Sequence, residues 1–221
     1  MSLFDIMGPI MVGPSSSHTA GAVKIGRMAR KLLDEKPINA SIALHGSFAA
    51  TGVGHGTRQA LIAGLLGMSP DDKRIPTSFS EAEREGLSFE FSAKQMKNVH
   101  PNSAEISLAG EHGSRLTVRA ASVGGGRISI EQLDGVEVRF SGEQNTLVVY
   151  NEDRPGCVGS VAKALSDAGI NIADMTLFRQ KRGGRAVMII ETDRPIGMDT
   201  VSFIRELPSI IKAICCNIEE S

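Results

Sequence analysis

Three serines, a histidine and a threonine stand in one unbroken run, Ser15-Ser16-Ser17-His18-Thr19, between Gly13-Pro14 and Ala20-Gly21. Behind it Ala22, Ile25, Ala29, Leu32 and Leu33 recur at helical spacing, so the run opens a helix predicted over residues 17–33. A helix start exposes unpaired N–H groups. Those donors, the positive end of the macrodipole and nearby hydroxyls together favour a bound carboxylate or phosphate. One serine would suffice as an N-cap. Three serines beside an imidazole point instead to a functional segment, with an anionic ligand held by the hydroxyls of Ser15, Ser16, Ser17 and Thr19.

A second segment runs from His45-Gly46-Ser47 to Gly52-Val53-Gly54-His55-Gly56-Thr57, between a strand-like stretch at 41–44 and a helix predicted over 57–66. Its Gly-x-Gly-x-Gly spacing differs from the dinucleotide fingerprint, and Asp71-Asp72 falls in a Pro-flanked loop rather than at the end of a second parallel strand. The glycines read better as close backbone approach to a ligand or another chain, which would bring His45 and His55 to one end of a strand. His100, in the turn-like His100-Pro101-Asn102-Ser103, is a further ligand-binding candidate, whereas His112 reads as the polar tip of a hairpin. No His-x-x-x-His pair or Cys/His cluster supports zinc. Cys157, Cys215 and Cys216 read as structural thiols, the adjacent pair pointing to opposite faces of a strand.

The elements that must carry these residues form an α+β chain of two units. In the first, strand-like alternation fills 87–93, 104–109, 116–123 and 128–133, with Gly124-Gly125-Gly126 as a turn. The alternation ends at Phe140, and a polar run over 141–145 separates a first domain, 1–142, from a second, 145–221. In the second domain a strand at 147–149 is followed by the turn Asp153-Arg154-Pro155-Gly156. A helix through Val158, Val161, Leu165 and Ala168 comes next, closed by Gly169. Strands at 171–179 and 186–191, a helix at 199–207 and an extended stretch at 209–218 complete a ferredoxin-like βαββαβ pattern. Arg154-Pro155-Gly156 and Asn171 suit either plain turn geometry or a carboxylate held at the strand–helix joint.

Composition narrows the class. Apolar residues are 41% and charged residues 22%, the balance of a globular protein. No stretch reaches the roughly 20 apolar residues that span a bilayer. Residues 1–11 are apolar but carry no basic leader, so the cytoplasm is the expected compartment. Lys plus Arg total 24 against 25 Asp plus Glu, and aromatics are 4%, which leaves neither the field nor the stacking platforms for nucleic acid.

Residues 145–220 resemble an ACT domain, the small amino-acid-binding module of metabolic enzymes, through Asn151-Glu152-Asp153-Arg154-Pro155-Gly156 and Gly169-Ile170-Asn171-Ile172. That resemblance implies an effector site at Asn151, Asp153, Gly156 and Asn171; Asp153 stands where Asn is typical of the family. Residues 1–142 resemble the β chain of bacterial iron–sulfur L-serine dehydratases. The residues that carry the likeness are Phe4-Asp5-Ile6-Met7-Gly8-Pro9, the Gly13-to-Thr19 run, His45-Gly46-Ser47 and Gly54-His55-Gly56-Thr57. The resemblance implies a lyase that eliminates water from L-serine and releases pyruvate and ammonia. An exposed iron of a [4Fe–4S] cluster would act as Lewis acid on the substrate hydroxyl. It also implies a cysteine-rich α chain that ligates the cluster, since the three thiols here are too few and wrongly spaced. His18, His45 and His55 become the catalytic candidates, and self-association through the ACT unit is expected. The first domain also resembles a regulatory domain of some D-3-phosphoglycerate dehydrogenases, so the competing expectation is an amino-acid sensor or assembly module without catalytic residues.

Overall fold

Strands with apolar residues at every second position need a cover for that face, and in the first half of the chain helices supply it. The computed structural model describes residues 15–52 and 54–218, so the motif at 4–9 together with Gly13, Pro14 and Val53 lies outside the described residues. The chain divides into two units, residues 1–134 and 135–221.

The first unit begins with a π-helical turn (Ser16–Ala20) that runs into α1 (Gly21–Leu33), followed by β1 (Pro37–Leu44), α2 (Gly46–Thr51) and α3 (Thr57–Leu65). Next come α4 (Ser78–Glu85), β2 (Ser88–Ala93), β3 (Ser103–Gly110), β4 (Arg115–Gly124) and β5 (Arg127–Leu133). These strands lie in the order β2-β1-β3-β4-β5. β1 pairs parallel with β2 and antiparallel with β3, and the remaining pairs are antiparallel. Ala40, Ile42 and Leu44 of β1, Ala104, Ile106 and Leu108 of β3, and Leu116, Val118 and Ala120 of β4 are buried. Ile25, Ala29, Leu32 and Leu33 of α1 are buried with them.

Two glycines set how closely α1 and α3 approach. A Cβ on Gly26 would collide with the Leu61 carbonyl oxygen and come within 2.9 Å of the Gly64 Cα. A Cβ on Gly64 would collide with the Val23 carbonyl oxygen and come within 2.8 Å of the Gly26 Cα. The helix backbones therefore touch. At one end of this contact Thr19 Oγ1 donates to the His55 carbonyl (3.4 Å), and at the other Arg30 Nη1 donates to the Leu65 carbonyl (2.8 Å). The two helices run in the same direction, which sets their amino-terminal ends side by side.

The second unit contains β6 (Val136–Phe140), β7 (Asn145–Glu152), α5 (Cys157–Asp167), β8 (Ile172–Arg179), β9 (Arg185–Thr192), α6 (Met198–Arg205) and β10 (Ile210–Cys216). From β7 onward this is the expected βαββαβ pattern, with an antiparallel sheet in the order β10-β7-β9-β8. Leu147, Val149, Met188 and Ile190 from the central strands pack with Val161 and Leu165 of α5 and Val201 and Ile204 of α6. β8 lies at the sheet edge and is largely exposed. Cys216 is buried and Cys215 only partly so, as alternation along β10 requires.

The glycine contact generates the first prediction. Gly64→Ala forces a methyl group into the backbone of α1 and should destabilise the first unit by about 1–3 kcal/mol, the range for overpacking a tight interior. Gly159→Ala, on α5 with nothing within 4 Å of an added Cβ, should instead stabilise by about 0.5–1 kcal/mol through helix propensity. Urea denaturation midpoints of the two variants check both signs.

Candidate active site

Each segment of the site has a local reason for its shape. Ser15 is extended, and its Oγ accepts from the His18 N–H at 3.2 Å, the geometry of an N-cap. The Thr19 N–H reaches the Ser15 carbonyl at 2.8 Å, while the Gly21 N–H skips one residue further back, to the Ser16 carbonyl. That five-residue step makes the turn π-helical, a distortion found frequently at functional sites.

The second segment is pinned by the third. Backbone N–H groups of His45 and Ser47 donate to the carbonyls of Ser103 (3.0 Å) and Pro101 (2.8 Å). Gly46 lies between them at φ +53°, where a Cβ would sit 2.6 Å from the Pro101 carbonyl oxygen, so only glycine fits. The chain then forms α2, which places Ser47 and Thr51 four residues apart on one face.

His18 is where these segments meet. Its Nε2 lies 3.1 Å from Ser47 Oγ and 3.2 Å from Thr51 Oγ1, and its Nδ1 lies 3.4 Å from Ser15 Oγ. Buried Phe48 meets the ring edge-on at 5.5 Å between centroids, and the His55 ring lies at 5.0 Å. Burial, then the neighbouring His55, hold His18 below its ordinary value of 6.5. The ring is therefore neutral at pH 7, with one nitrogen able to take a proton.

The remaining sequence candidates are distributed around this centre. Ser16 and Ser17 are half-buried on the π-helical turn. Thr19 is 2% exposed, and its hydroxyl serves the His55 carbonyl. His45 Nδ1 accepts from the Met96 N–H at 3.1 Å and lies 3.2 Å from the Lys94 carbonyl; His100 Nδ1 accepts from the Asn102 N–H at 3.1 Å. The hydrogen bonds and ring contacts of His18 go to Ser15, Ser47, Thr51, Phe48 and His55, and neither His45 nor His100 is among them. Sequence reasoning missed Thr51 and Phe48 and gave Ser47 no role. The four-residue spacing of the two hydroxyls was the available signal. His112 is exposed, and its backbone N–H donates to Glu35 at 2.9 Å.

In the second unit Asp153 Oδ2 accepts from Arg179 Nη1 (3.1 Å) and the Gly183 N–H (2.9 Å). The Gly183 N–H, then the Arg179 side chain, hold its carboxyl below the usual carboxylate range. Asn171 Nδ2 donates to Asp193 at 2.6 Å. Asn151 is 1% exposed; its Nδ2 donates to the Glu152 carbonyl at 2.7 Å, while its Oδ1 is buried without a partner. Gly156, at φ +93°, starts α5. The side-chain bonds of Asp153, Asn171 and Asn151 thus share no common neighbour.

Among the described residues, no three His, Cys, Asp or Glu side chains converge as metal ligands. Cys157 Sγ is turned to the Glu152 carbonyl at 3.5 Å, and Cys215 and Cys216 point to opposite faces of β10. The thiols present do not fit the ligand set of an iron–sulfur cluster. No helix among the described residues is long and apolar enough to cross a membrane.

Comparison with known proteins gives two family matches, serine dehydratase beta chain over residues 2–88 and ACT domain over residues 145–197. The sequence is 42% identical to the probable L-serine dehydratase beta chain of Bacillus subtilis over 96% of both chains. It is 39% identical to the L-serine dehydratase beta chain of Peptoniphilus asaccharolyticus over 88% of both. Against L-serine dehydratase 2 of Escherichia coli it is 33% identical, covering 80% of this chain and 42% of that protein.

The lowered His18 value generates the second prediction. The unfolded chain takes up this proton near 6.5 and the folded chain only at lower pH, so the unfolded state binds more protons in between. Stability should therefore fall as pH drops below about 6.5 through the folded value. NMR titration should find His18 below the ordinary histidine range. His55→Gln should raise its midpoint, and His18→Gln should flatten the acid limb of the stability profile.

Proposed function

The chain belongs to the L-serine dehydratase beta chain family, and we propose that it supplies the substrate-orienting half of an active site completed by a cysteine-rich α chain. The observation that carries this reading is the meeting of His18, Ser47, Thr51 and His55 at the head of α1, from segments up to 37 positions apart in sequence. The similarity to a longer dehydratase supports the need for a partner, because this chain accounts for only 42% of that protein. The partner would also hold the [4Fe–4S] cluster, for which the thiols described here provide no ligand set. In this reading residues 1–142 form the catalytic part and residues 145–221 the ACT part.

The reaction removes the α-proton and the β-hydroxyl of L-serine, and the aminoacrylate so formed becomes pyruvate and ammonia. The α1 head, with Ser16 and Ser17 on its π-helical turn, offers donors and the positive end of the helix to the substrate carboxylate. Neutral His18 is the proton-handling group of this chain, kept neutral by burial and then by His55. His45 and His100, held by backbone groups at the neighbouring segment, are the further candidates of this reading. The exposed edge strand β8 supports self-association through the ACT unit. An effector at Asn151, Asp153, Gly156 and Asn171 would have to compete with the Arg179 and Gly183 contacts of Asp153. A cytoplasmic enzyme acting on free serine is the consistent setting.

Reconstitution tests this reading. The chain alone should not turn over serine, and mixing with the cluster-bearing α chain under anaerobic conditions should give dehydratase activity. In that complex His18→Ala should lower turnover about 10²- to 10⁴-fold with cluster absorbance intact, the loss typical of an acid–base group. Ser16→Ala and Ser17→Ala should mainly raise KM, since each removes a donor to a carboxylate charged in both ground and transition states. Near-normal turnover by His18→Ala would reduce the α1 head to a helix cap and favour the sensor reading.

A further inference from the structure

Thr51 is exposed, yet its hydroxyl lies within hydrogen-bond reach of three atoms. These are the Ser47 carbonyl (2.9 Å), His18 Nε2 (3.2 Å) and Ser47 Oγ (3.3 Å). The hydroxyl has one proton to give. A carbonyl oxygen can only accept, and it is the nearest of the three, so the Thr51 proton goes to Ser47. What Thr51 Oγ1 then presents to Nε2 is a lone pair, and a hydrogen bond between them forms only if Nε2 carries hydrogen.

The other side of the ring is compatible with this. Ser15 Oγ already accepts from the His18 backbone N–H (3.2 Å), which leaves its own proton to donate to Nδ1 at 3.4 Å. Ser47 Oγ rotates freely enough to accept from Nε2–H at 3.1 Å while donating to Thr51 Oγ1. All these bonds are satisfied together when Nε2 is protonated and Nδ1 is bare. With the tautomers exchanged, Nε2 would face two hydroxyls of which Ser47 alone has a proton left. Ser15 Oγ, with two lone pairs, accommodates either tautomer, so the choice between them rests on the Thr51 side of the ring.

We infer that Thr51 is a positioning residue that fixes the tautomer of His18, so that the basic nitrogen is Nδ1 and the proton enters on the Ser15 side. No assigned role accounts for Thr51, and its effect is exerted through His18 rather than on substrate. The inference rests on the reading of His18 as the proton-handling group. It also adds a direction, because substrate must approach from the Ser15 face of the ring rather than from the α2 face.

The ring tautomer can be measured without turnover. In protein labelled with nitrogen-15 at histidine, the two ring nitrogens of His18 should show one protonated at Nε2 and one bare at Nδ1 in the neutral form. Thr51→Val keeps the shape and removes the hydroxyl; it should move the populations toward Nδ1–H. In the reconstituted enzyme it should lower kcat about tenfold or more, the scale on which loss of a partner orienting an imidazole acts. Thr51→Ser should restore both readouts. Ser47→Ala, which leaves the Thr51 lone pair in place, should keep Nε2–H. Should Thr51→Val fold poorly, Thr51→Ala and Ser47→Ala give the same comparison. Unchanged nitrogen shifts in Thr51→Val or Thr51→Ala overturn the inference, as does a tautomer change in Ser47→Ala but not at Thr51. A shifted tautomer with normal turnover supports the role of Thr51 and removes the catalytic role of His18. An unshifted tautomer with His18→Ala inactive does the reverse.

Discussion

The contact on which the candidate site depends is backbone against backbone, Gly26 of α1 on Gly64 of α3. Van der Waals attraction is short-ranged, so two helices at this separation leave no room for even a methyl group between them. His18 lies eight residues before Gly26, and His55 lies nine before Gly64. A displacement at the glycines is therefore transmitted along about two helical turns to the place where the two imidazoles face each other at 5.0 Å. The Thr19–His55 and Arg30–Leu65 hydrogen bonds bracket the contact and oppose sliding. The sheet beneath serves the same end: its buried face of Ala, Ile, Leu and Val supports α1 without adding charge near the rings.

The surroundings of His18 are unusual in what they consist of. An imidazole that must become cationic is commonly paired with a carboxylate, which raises its proton affinity. Here its neighbours are three hydroxyls, a phenyl ring and another imidazole. Hydroxyls orient a ring without paying for its charge, so burial and His55 prevail and the ring stays neutral. Such a ring is suited to receiving a proton and giving it up again. The second unit treats charge differently. Asp153 keeps its negative charge because an N–H group and an arginine of the same unit satisfy it, which makes that turn self-sufficient.

Much of the architecture was legible because it rests on local spacing. The period of α1 is visible in Ala22, Ile25, Ala29 and Leu32, strand alternation runs through β3, β4 and β5, and the turns of the second unit are marked by Gly and Pro. The run of Ser15 to Thr19 stood out as a candidate because three serines exceed what one cap requires. α2 was not legible: six residues complete fewer than two turns, too few for a period to emerge from a glycine-rich stretch. With α2 went Thr51 and Phe48, and the same brevity hid the purpose of Ser47.

The sequence by itself determined the residue types, the elements longer than two turns and the βαββαβ order, since each follows from neighbours a few positions apart. Tertiary structure alone decided which of the marked residues meet. Thr19 faces inward to a carbonyl rather than outward to a ligand, His45 is bound to the backbone at Lys94 and Met96, and His18 joins Ser47, Thr51 and His55. Those meetings depend on the approach distance of α1 and α3 and on Gly46 fitting against Pro101. Contacts between residues some 30 to 55 positions apart are fixed by packing in three dimensions, and no periodicity along the chain encodes them.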